Sequence, residues 1–369
     1  MTINSKKEKL NDKEVVVSIS CLAFNHELYI RQCLDGFIMQ KTNFAFEVLI
    51  YDDASTDNTV EIIKEYEVKY PELIKPIYQS ENQYSKGVKV SSTYNWSRVK
   101  GKYIAMCEGD DYWSDPLKLQ KQVDFLEKNE DYGLVHTNFD TYYQDSNYFL
   151  KNTHTVYNIE IKDNCTLNYW NLFGEAMATI KTLTACFRYD LIKEWQSVTP
   201  ENKWLVGDFP MYFFMSLKSK VGYLNESTSV YRTVPQGSLS NVGNDINKKL
   251  NIRKTYVDIR LYFFEKYQLE ENKFKKALIR DFNILFYFSI LLDNKSVLKE
   301  YLDKFDTVDK QKVSNKLSRI YLKSNNRTLK RGILYITKIK LFSSTYLKKI
   351  FNYKFLISTI KRKLKLVNV

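Results

Sequence analysis

Three histidines in 369 residues leave almost no material for a histidine-built zinc centre, and few bases for a Ser-His-Asp hydrolase. Cysteine is nearly as scarce. The five present, Cys21, Cys33, Cys107, Cys165 and Cys186, are scattered with no Cys-x-x-Cys pair, and three of them sit in apolar runs as reduced core thiols do. Such usage suits a reducing compartment. No run of about 18 apolar residues occurs, so no membrane-spanning helix is expected. Residues 1–14 are polar and charged, unlike a secretory signal, and the expected location is the cytoplasm. Acidic residues are missing altogether from Lys310 onward, where 17 basic residues stand alone. That one-sided stretch calls for a polyanionic partner.

What is present argues for a folded enzyme-sized chain. At 44% hydrophobic and 15% aromatic, it can bury one large core with an appendage. The net charge of +13 divides unevenly: residues 1–244 carry 26 Lys+Arg against 32 Asp+Glu, and residues 245–369 carry 30 against 11. The division expected is a polar extension over 1–14, a catalytic domain over 15–240 and a basic helical region over 241–369.

Strand-like runs alternate with helical patterns through the first ~135 residues, which is the signature of a parallel, doubly wound sheet. Val15 to Cys21 is β-branched and empties into Ala23-Phe24-Asn25-His26, before a helix with Ile30, Leu34 and Phe37 on one face. Phe46 to Ile50 empties into Asp52-Asp53-Ala54-Ser55-Thr56-Asp57, where Ser, Asp and Asn crowd a helix start. Ile74 to Tyr78 forms a third strand. Tyr103 to Glu108 forms the fourth and stops at Gly109 with Asp110 and Asp111, then Tyr112 and Trp113. Beyond Leu134 the pattern is mixed: a strand, a Tyr- and Asn-rich loop region, a helix around Leu167 to Phe173, a strand from Thr182 to Arg188, an apolar helix from Met211 to Leu217 and a strand from Ser227 to Arg232. Past Asn241 the chain reads as helical.

Ligands of open α/β sheets collect beyond the carboxyl ends of the strands. Two strands that both end in carboxylate pairs would bring acceptor-only oxygens to one edge, suited to a hard cation such as Mg2+ or Mn2+. The plain reading of each pair alone is a solvated turn. Asp208 follows Gly207 and precedes an apolar helix beside Trp204 and Phe209, surroundings that raise a carboxyl toward the range of a general base; it equally suits a helix N-terminus.

Together these stretches resemble the family 2 glycosyltransferases over roughly residues 15 to 235. The resemblance rests on Val-Ser-Ile-Ser-Cys-Leu-Ala-Phe-Asn-His-Glu, on Asp-Asp-Ala-Ser-Thr-Asp-Asn-Thr and on Glu-Gly-Asp-Asp-Tyr-Trp-Ser-Asp-Pro-Leu-Lys. It implies an α/β A-type glycosyltransferase fold, a Rossmann-like, mostly parallel mixed sheet flanked by helices, with the helical region after it. It implies an inverting, metal-dependent transfer from a nucleotide sugar, a uridine diphosphate sugar for preference, to a hydroxyl of a surface polysaccharide, such as a capsule, or of a lipid-linked glycan. By position, Ala23, Phe24, Asn25 and Glu27 line the nucleotide pocket with Asp53 on the base. Asp111 would hold the metal with Asp110 beside it, and Asp208 would be the base. Arg232 suits either a diphosphate clamp or a surface ion pair, Tyr112 and Trp113 either sugar stacking or core packing, and Lys86 and Arg98 either phosphate or nothing specific.

Two other readings compete. A nucleotidyltransferase would need a Gly-rich phosphate loop early in the first strand-helix unit, which is missing, and an inactive sugar-nucleotide or membrane scaffold would release no nucleoside diphosphate. Near the C-terminus, Tyr346, Ile350, Tyr353, Ile357, Ile360 and Leu364 recur at helical spacing among lysines and arginines. This is a basic amphipathic pattern, suited to the inner face of an anionic membrane or to packing on the domain with its charge in water. No nucleic-acid module accompanies the charge, so no nucleic acid is expected. A homo-oligomer is left open.

Overall fold

The computed structural model describes residues 14–156, 180–198, 204–233, 245–269, 272–308, 316–325 and 330–334. The expected helix around Leu167 to Phe173 and the amphipathic pattern from Tyr346 to Leu364 lie outside them. The chain divides into two compact units, residues 1–169 with 179–241, and residues 170–178 with 242–369.

Among the described residues, the first unit is built on one nine-stranded sheet. β1 (Val15–Ala23), β2 (Ala45–Asp52), β3 (Ile74–Tyr78) and β4 (Tyr103–Glu108) lie in the order β3-β2-β1-β4, all parallel. They read as nearly continuous apolar runs because helices cover a parallel sheet on its faces. Val17, Ile19, Cys21, Val48, Ile50, Ala105 and Cys107 are buried in one core with Ile30, Cys33, Leu34 and Phe37 of helix α1 (Ile30–Ile38). Cys21, Cys33, Cys107 and Cys186 are free and buried, as their apolar settings predict.

Beyond β4 the sheet turns mixed. β8 (Cys186–Arg188) runs antiparallel between β4 and β6 (Tyr132–Tyr143), β9 (Lys220–Thr233) lies parallel to β6, and the two-residue β5 (Tyr112–Trp113) pairs antiparallel with β9. The expected strand from Thr182 is shorter than its sequence suggests. Thr182–Thr184 is a 3-10 turn, and only Cys186 to Arg188 is extended. The expected strand at Ser227 is longer, running over 14 residues, with register shifts against β6 that break the alternation by which a strand is recognised. The Tyr-rich loop region contains a hairpin, with β7 (Tyr148–Leu150) antiparallel to the end of β6.

Trp113 fixes the segment after β4. It is 1% exposed, its indole Nε1 donates to the Leu183 carbonyl at 3.0 Å, and its ring meets the Phe37 ring edge-on at 4.9 Å. Of the two readings of Trp113, core packing is the one its contacts satisfy. Removing such an aromatic would cost about 3–5 kcal/mol.

The second unit is helical: α6 (Ile246–Lys266), α7 (Asn272–Leu291), α8 (Lys295–Val308) and α9 (Lys316–Lys323). The first unit supplies α2 (Thr59–Lys69), α3 (Lys118–Lys128), α4 (Tyr189–Val198) and α5 (Asp208–Lys218) between its strands. Asp245 caps α6 by accepting from the amides of Asn247 and Lys248. No described helix is long and apolar enough to cross a membrane.

Candidate active site

The strand order reverses between β1 and β4, and the loops after β1, β2 and β4 meet at that edge. The β1 and β2 loops are stapled together. Asn25, at φ 54°, donates its backbone N–H to Ser55 Oγ at 2.9 Å, and its Oδ1 accepts from the Thr56 amide at 2.8 Å. The Glu27 amide donates to Asp57, and Glu27 Oε2 accepts from the amide and side chain of Asn58. Ala54, at φ 62°, holds a left-handed conformation unusual for alanine, stabilised by Ser55 donating both its N–H and its Oγ–H to Asp52. The backbone amide and one side-chain oxygen of both Asn25 and Glu27 are thus engaged in loop geometry. Ala23 is buried, and Phe24 stands 42% exposed beside them.

Asp53 is similarly occupied. Its Oδ1 accepts from Tyr51 Oη and the Gln83 amide, both at 2.8 Å, and Oδ2 accepts from the Tyr84 amide at 3.1 Å. It braces the segment after β3 against β2. Asp52 is fully buried, and burial raises its carboxyl despite the two bonds from Ser55.

The end of β4 is built differently. Gly109 lies in close approach to the first helix, since a Cβ there would lie 2.7 Å from His26 Nδ1 and 2.9 Å from Ile30 Cδ1 and would make those side chains shift. Burial lowers the His26 imidazole although Asp110, Asp57 and Asp52 pull it upward. Asp111 is buried, and its Oδ1 accepts from the Arg232 amide at 2.7 Å. Asp110 is half-buried, and its carboxylate accepts no hydrogen bond among the described residues; only its carbonyl is taken, by Arg232 Nε at 2.8 Å.

Arg232 organises this corner. Its Nη1 donates to Gln144 Oε1 at 2.8 Å and its Nη2 to Gln32 Oε1 at 2.6 Å, while the guanidinium lies 4.9 to 5.4 Å from the rings of Tyr29, Tyr142 and Tyr112. Three of its five N–H donors thus meet protein acceptors, an arrangement that the sequence does not anticipate. Arg98 also has protein partners, the carbonyls of Tyr94 and Ile50 and the side chain of Asn95, and exposed Lys86 pairs with Glu81.

Four carboxylates act on one another here. The Glu108 carboxyl is pushed up to about 8 by burial, then by the charges of Asp110 and Asp208. Asp111 is pushed well above the carboxylate range by burial, then by Asp110 and Glu108, against the Arg232 amide and Lys181. Asp208 opens α5, where its Oδ1 accepts from the Phe209 amide at 2.8 Å; burial raises it, opposed by that bond and by Lys181. Lys181 is the nearby cation that the sequence did not mark. Its ammonium lies 4.1 Å from the centre of the Tyr231 ring, and nothing in an Ile-Lys-Thr-Leu string distinguishes it from a surface lysine.

The donor set at this edge is all oxygen, mutually repelling and partly desolvated, a combination that suits a hard divalent cation. The described residues hold no ready cage of three or more acidic, histidine or cysteine ligands. Asp110, with its carboxylate unclaimed, fits the ligand role first, ahead of the order that the sequence suggests.

Residues 18–192 match the family model described as glycosyl transferase family 2. Residues 18–192 carry a family 2 glycosyltransferase domain. An uncharacterized protein of Mycobacterium tuberculosis is 50% identical over 113 residues, 31% of this chain and 32% of that protein, so the match takes in about a third of the relative's length. WfaP of Escherichia coli, a UDP-Glc:alpha-D-GlcNAc-diphosphoundecaprenol beta-1,3-glucosyltransferase, is 28% identical over 162 residues, 42% of this chain and 57% of that protein. Among solved structures, residues 1–349 of S. aureus TarS in complex with UDP-GlcNAc superpose with a TM-score of 0.62 at 17% identity, over 89% of this chain and 93% of that one. The likeness is one of fold, the A-type glycosyltransferase arrangement of a mixed sheet flanked by helices.

Proposed function

We propose that this domain transfers a sugar from a nucleotide donor, a UDP-sugar for preference, to a hydroxyl of a surface or lipid-linked glycan, with inversion. The observation that carries the reading is the gathering of Glu108, Asp110, Asp111 and Asp208 at the strand-order reversal, with one carboxylate unclaimed and another raised at a helix start. Asp110, with Asp111 beside it, would hold Mg2+ or Mn2+, which supplies charge neutralisation for the leaving diphosphate. Arg232 positions both residues through its backbone and side chain.

Asp208 is the proposed base. One of its oxygens accepts from Phe209, and the other has no partner among the described residues. As the acceptor oxygen bonds to the anomeric carbon, its proton passes to Asp208, the bond from sugar to phosphate breaks, and the nucleoside diphosphate departs with the electron pair. A raised carboxyl is a stronger base for that proton than an ordinary one. Ala23 to Glu27 and Asp53 are proposed as the nucleotide wall, acting through the loop geometry that they hold.

The acceptor of WfaP is a sugar on diphosphoundecaprenol, which supports a lipid-linked acceptor here. A basic segment over residues 346–365 would draw the domain to anionic headgroups, at about 1 kcal/mol per basic side chain near the surface. The deciding experiment screens nucleotide sugars with Mn2+ for nucleoside diphosphate release. Asp208→Asn should lower turnover by about 10²- to 10⁴-fold, the range for general-base catalysis, while keeping the thermal shift with UDP and Mn2+. Turnover within about threefold of wild type would remove Asp208 from the base role, since even modest base catalysis exceeds that.

A further inference from the structure

The hairpin at the end of β6 carries exposed aromatic surface that the chemistry above does not use. Tyr142 pairs with Phe149 across the β6–β7 ladder, and their rings stack at 4.4 Å with an interplanar angle of 27°. Tyr142 also pairs with Arg232 across the β6–β9 ladder. Phe149, Tyr142 and Arg232 therefore form one row over three adjacent strands, on one face of the sheet. The row ends at the proposed metal carboxylates, because Arg232 donates to the Asp110 carbonyl and to Asp111 Oδ1. Neighbouring strands lie about 4.8 Å apart, so Phe149 stands roughly 10 Å along the row from Arg232.

Phe149 is 44% exposed on a strand at the sheet margin, where exposed apolar surface invites aggregation unless something uses it. Beside the row, Gln144 accepts from Arg232 through Oε1, while its Nε2 has no partner among the described residues. The turn is fixed: Asn147 sits at φ 48° and accepts from Tyr142 Oη at 2.8 Å. An aromatic face, a planar amide with free donors and a rigid turn, a sugar's length or two from the reaction centre, match the apolar face and hydroxyl rim of a pyranose.

We propose that Phe149 and Tyr142, with Gln144, form the subsite for a pyranose ring of the acceptor glycan. The assignment rests on the glycosyl-transfer reading, and names where its acceptor lies. The hairpin contains its own control. Tyr148 pairs with Tyr143, one position out of phase, so its exposed ring faces the opposite side.

The test uses the full chain, with saturation-transfer NMR on methyl β-pyranosides of glucose, galactose and N-acetylglucosamine, and with thermal shift by UDP and Mn2+ as a separate readout. Phe149→Ala should weaken pyranoside binding by about tenfold, the ratio equivalent to 1.4 kcal/mol, with the UDP–Mn2+ shift unchanged. Phe149→Trp should keep it, and so should Tyr148→Ala. Equal saturation in wild type and Phe149→Ala overturns the subsite, as does an equal loss in Tyr148→Ala or a wild type that saturates no pyranoside. Phe149-dependent binding to phosphatidylglycerol vesicles without Phe149-dependent sugar binding also overturns it, in favour of a membrane contact. A wild type that ignores UDP and Mn2+ counts against the transfer reading, and Phe149-dependent sugar binding then supports the platform alone.

Discussion

The two units of this chain bury acidic groups in opposite ways. In the helical unit, Asp281 of α7 is fully buried, with Arg260 Nε at 2.6 Å, Arg253 Nη1 at 3.0 Å and Arg280 Nε at 3.6 Å. Burial alone would raise its carboxyl, but Arg260, then Arg253 and Arg280, more than offset that and hold it below the usual range. At the end of β4 burial and neighbouring carboxylates together raise Glu108 and Asp111, and burial raises Asp208, with Lys181 only partly opposing the rise of Asp111 and Asp208. In the first arrangement the protein itself supplies the counter-charge. The second leaves repulsion that a bound cation would relieve, which is the physical mark of a site as distinct from a strut.

The comparison breaks most visibly at the strut. Asp281→Asn strands a fully buried Arg260, and unfolding in urea should show a loss of about 3–5 kcal/mol. A loss below ~1 kcal/mol would mean that the arginines do not depend on Asp281. The site should respond in the other sense. Asp110→Asn removes a charge that repels Glu108 and Asp111, so the ligand-free protein should keep its stability or gain slightly. It should lose the stabilisation that UDP with Mn2+ gives wild type, about 2.7 kcal/mol at a hundred times Kd. A destabilised Asp110→Asn that still shifts with UDP and Mn2+ would reverse the two roles.

The same contrast explains what could be read in the sequence. Asp52-Asp53 and Asp110-Asp111 look alike as strings, each following an apolar run, and both were legible as strand ends on one edge because four parallel strands announce themselves as apolar runs. Their difference was not legible. Asp53 is saturated by Tyr51, Gln83 and Tyr84, and whether a carboxylate finds partners depends on loops whose course a single sequence does not encode locally. Arg232 and Lys181 reach the edge from β9 and from the turn before β8, long-range neighbours of a kind that periodicity cannot rank. The β6–β7 hairpin did leave a signal: tyrosines favour strands and Asn147 takes the left-handed turn position, yet Asn and Tyr together read as loop.

Acidification offers the finest separation of the two regions. Asp281 is depressed when folded, so its contribution is present above its unfolded pKa of about 3.9, and is lost only as pH falls through its lower folded value. Asp208 is raised when folded, and must be ionised to accept a proton, so transfer should fall on acidification through a value above about 3.9. Titrating downward, kcat/KM should therefore fail first, with helical ellipticity intact, and the Asp281 contribution should fade at lower pH with a slope of at most ~1.4 kcal/mol per unit. Asp281→Asn should remove that second slope and leave the acid limb of kcat/KM in place. If activity and ellipticity instead decline together in wild type, the base would carry no raised carboxyl of its own, and the distinction between a satisfied and an unsatisfied buried acid would fail at the residue that needs it most.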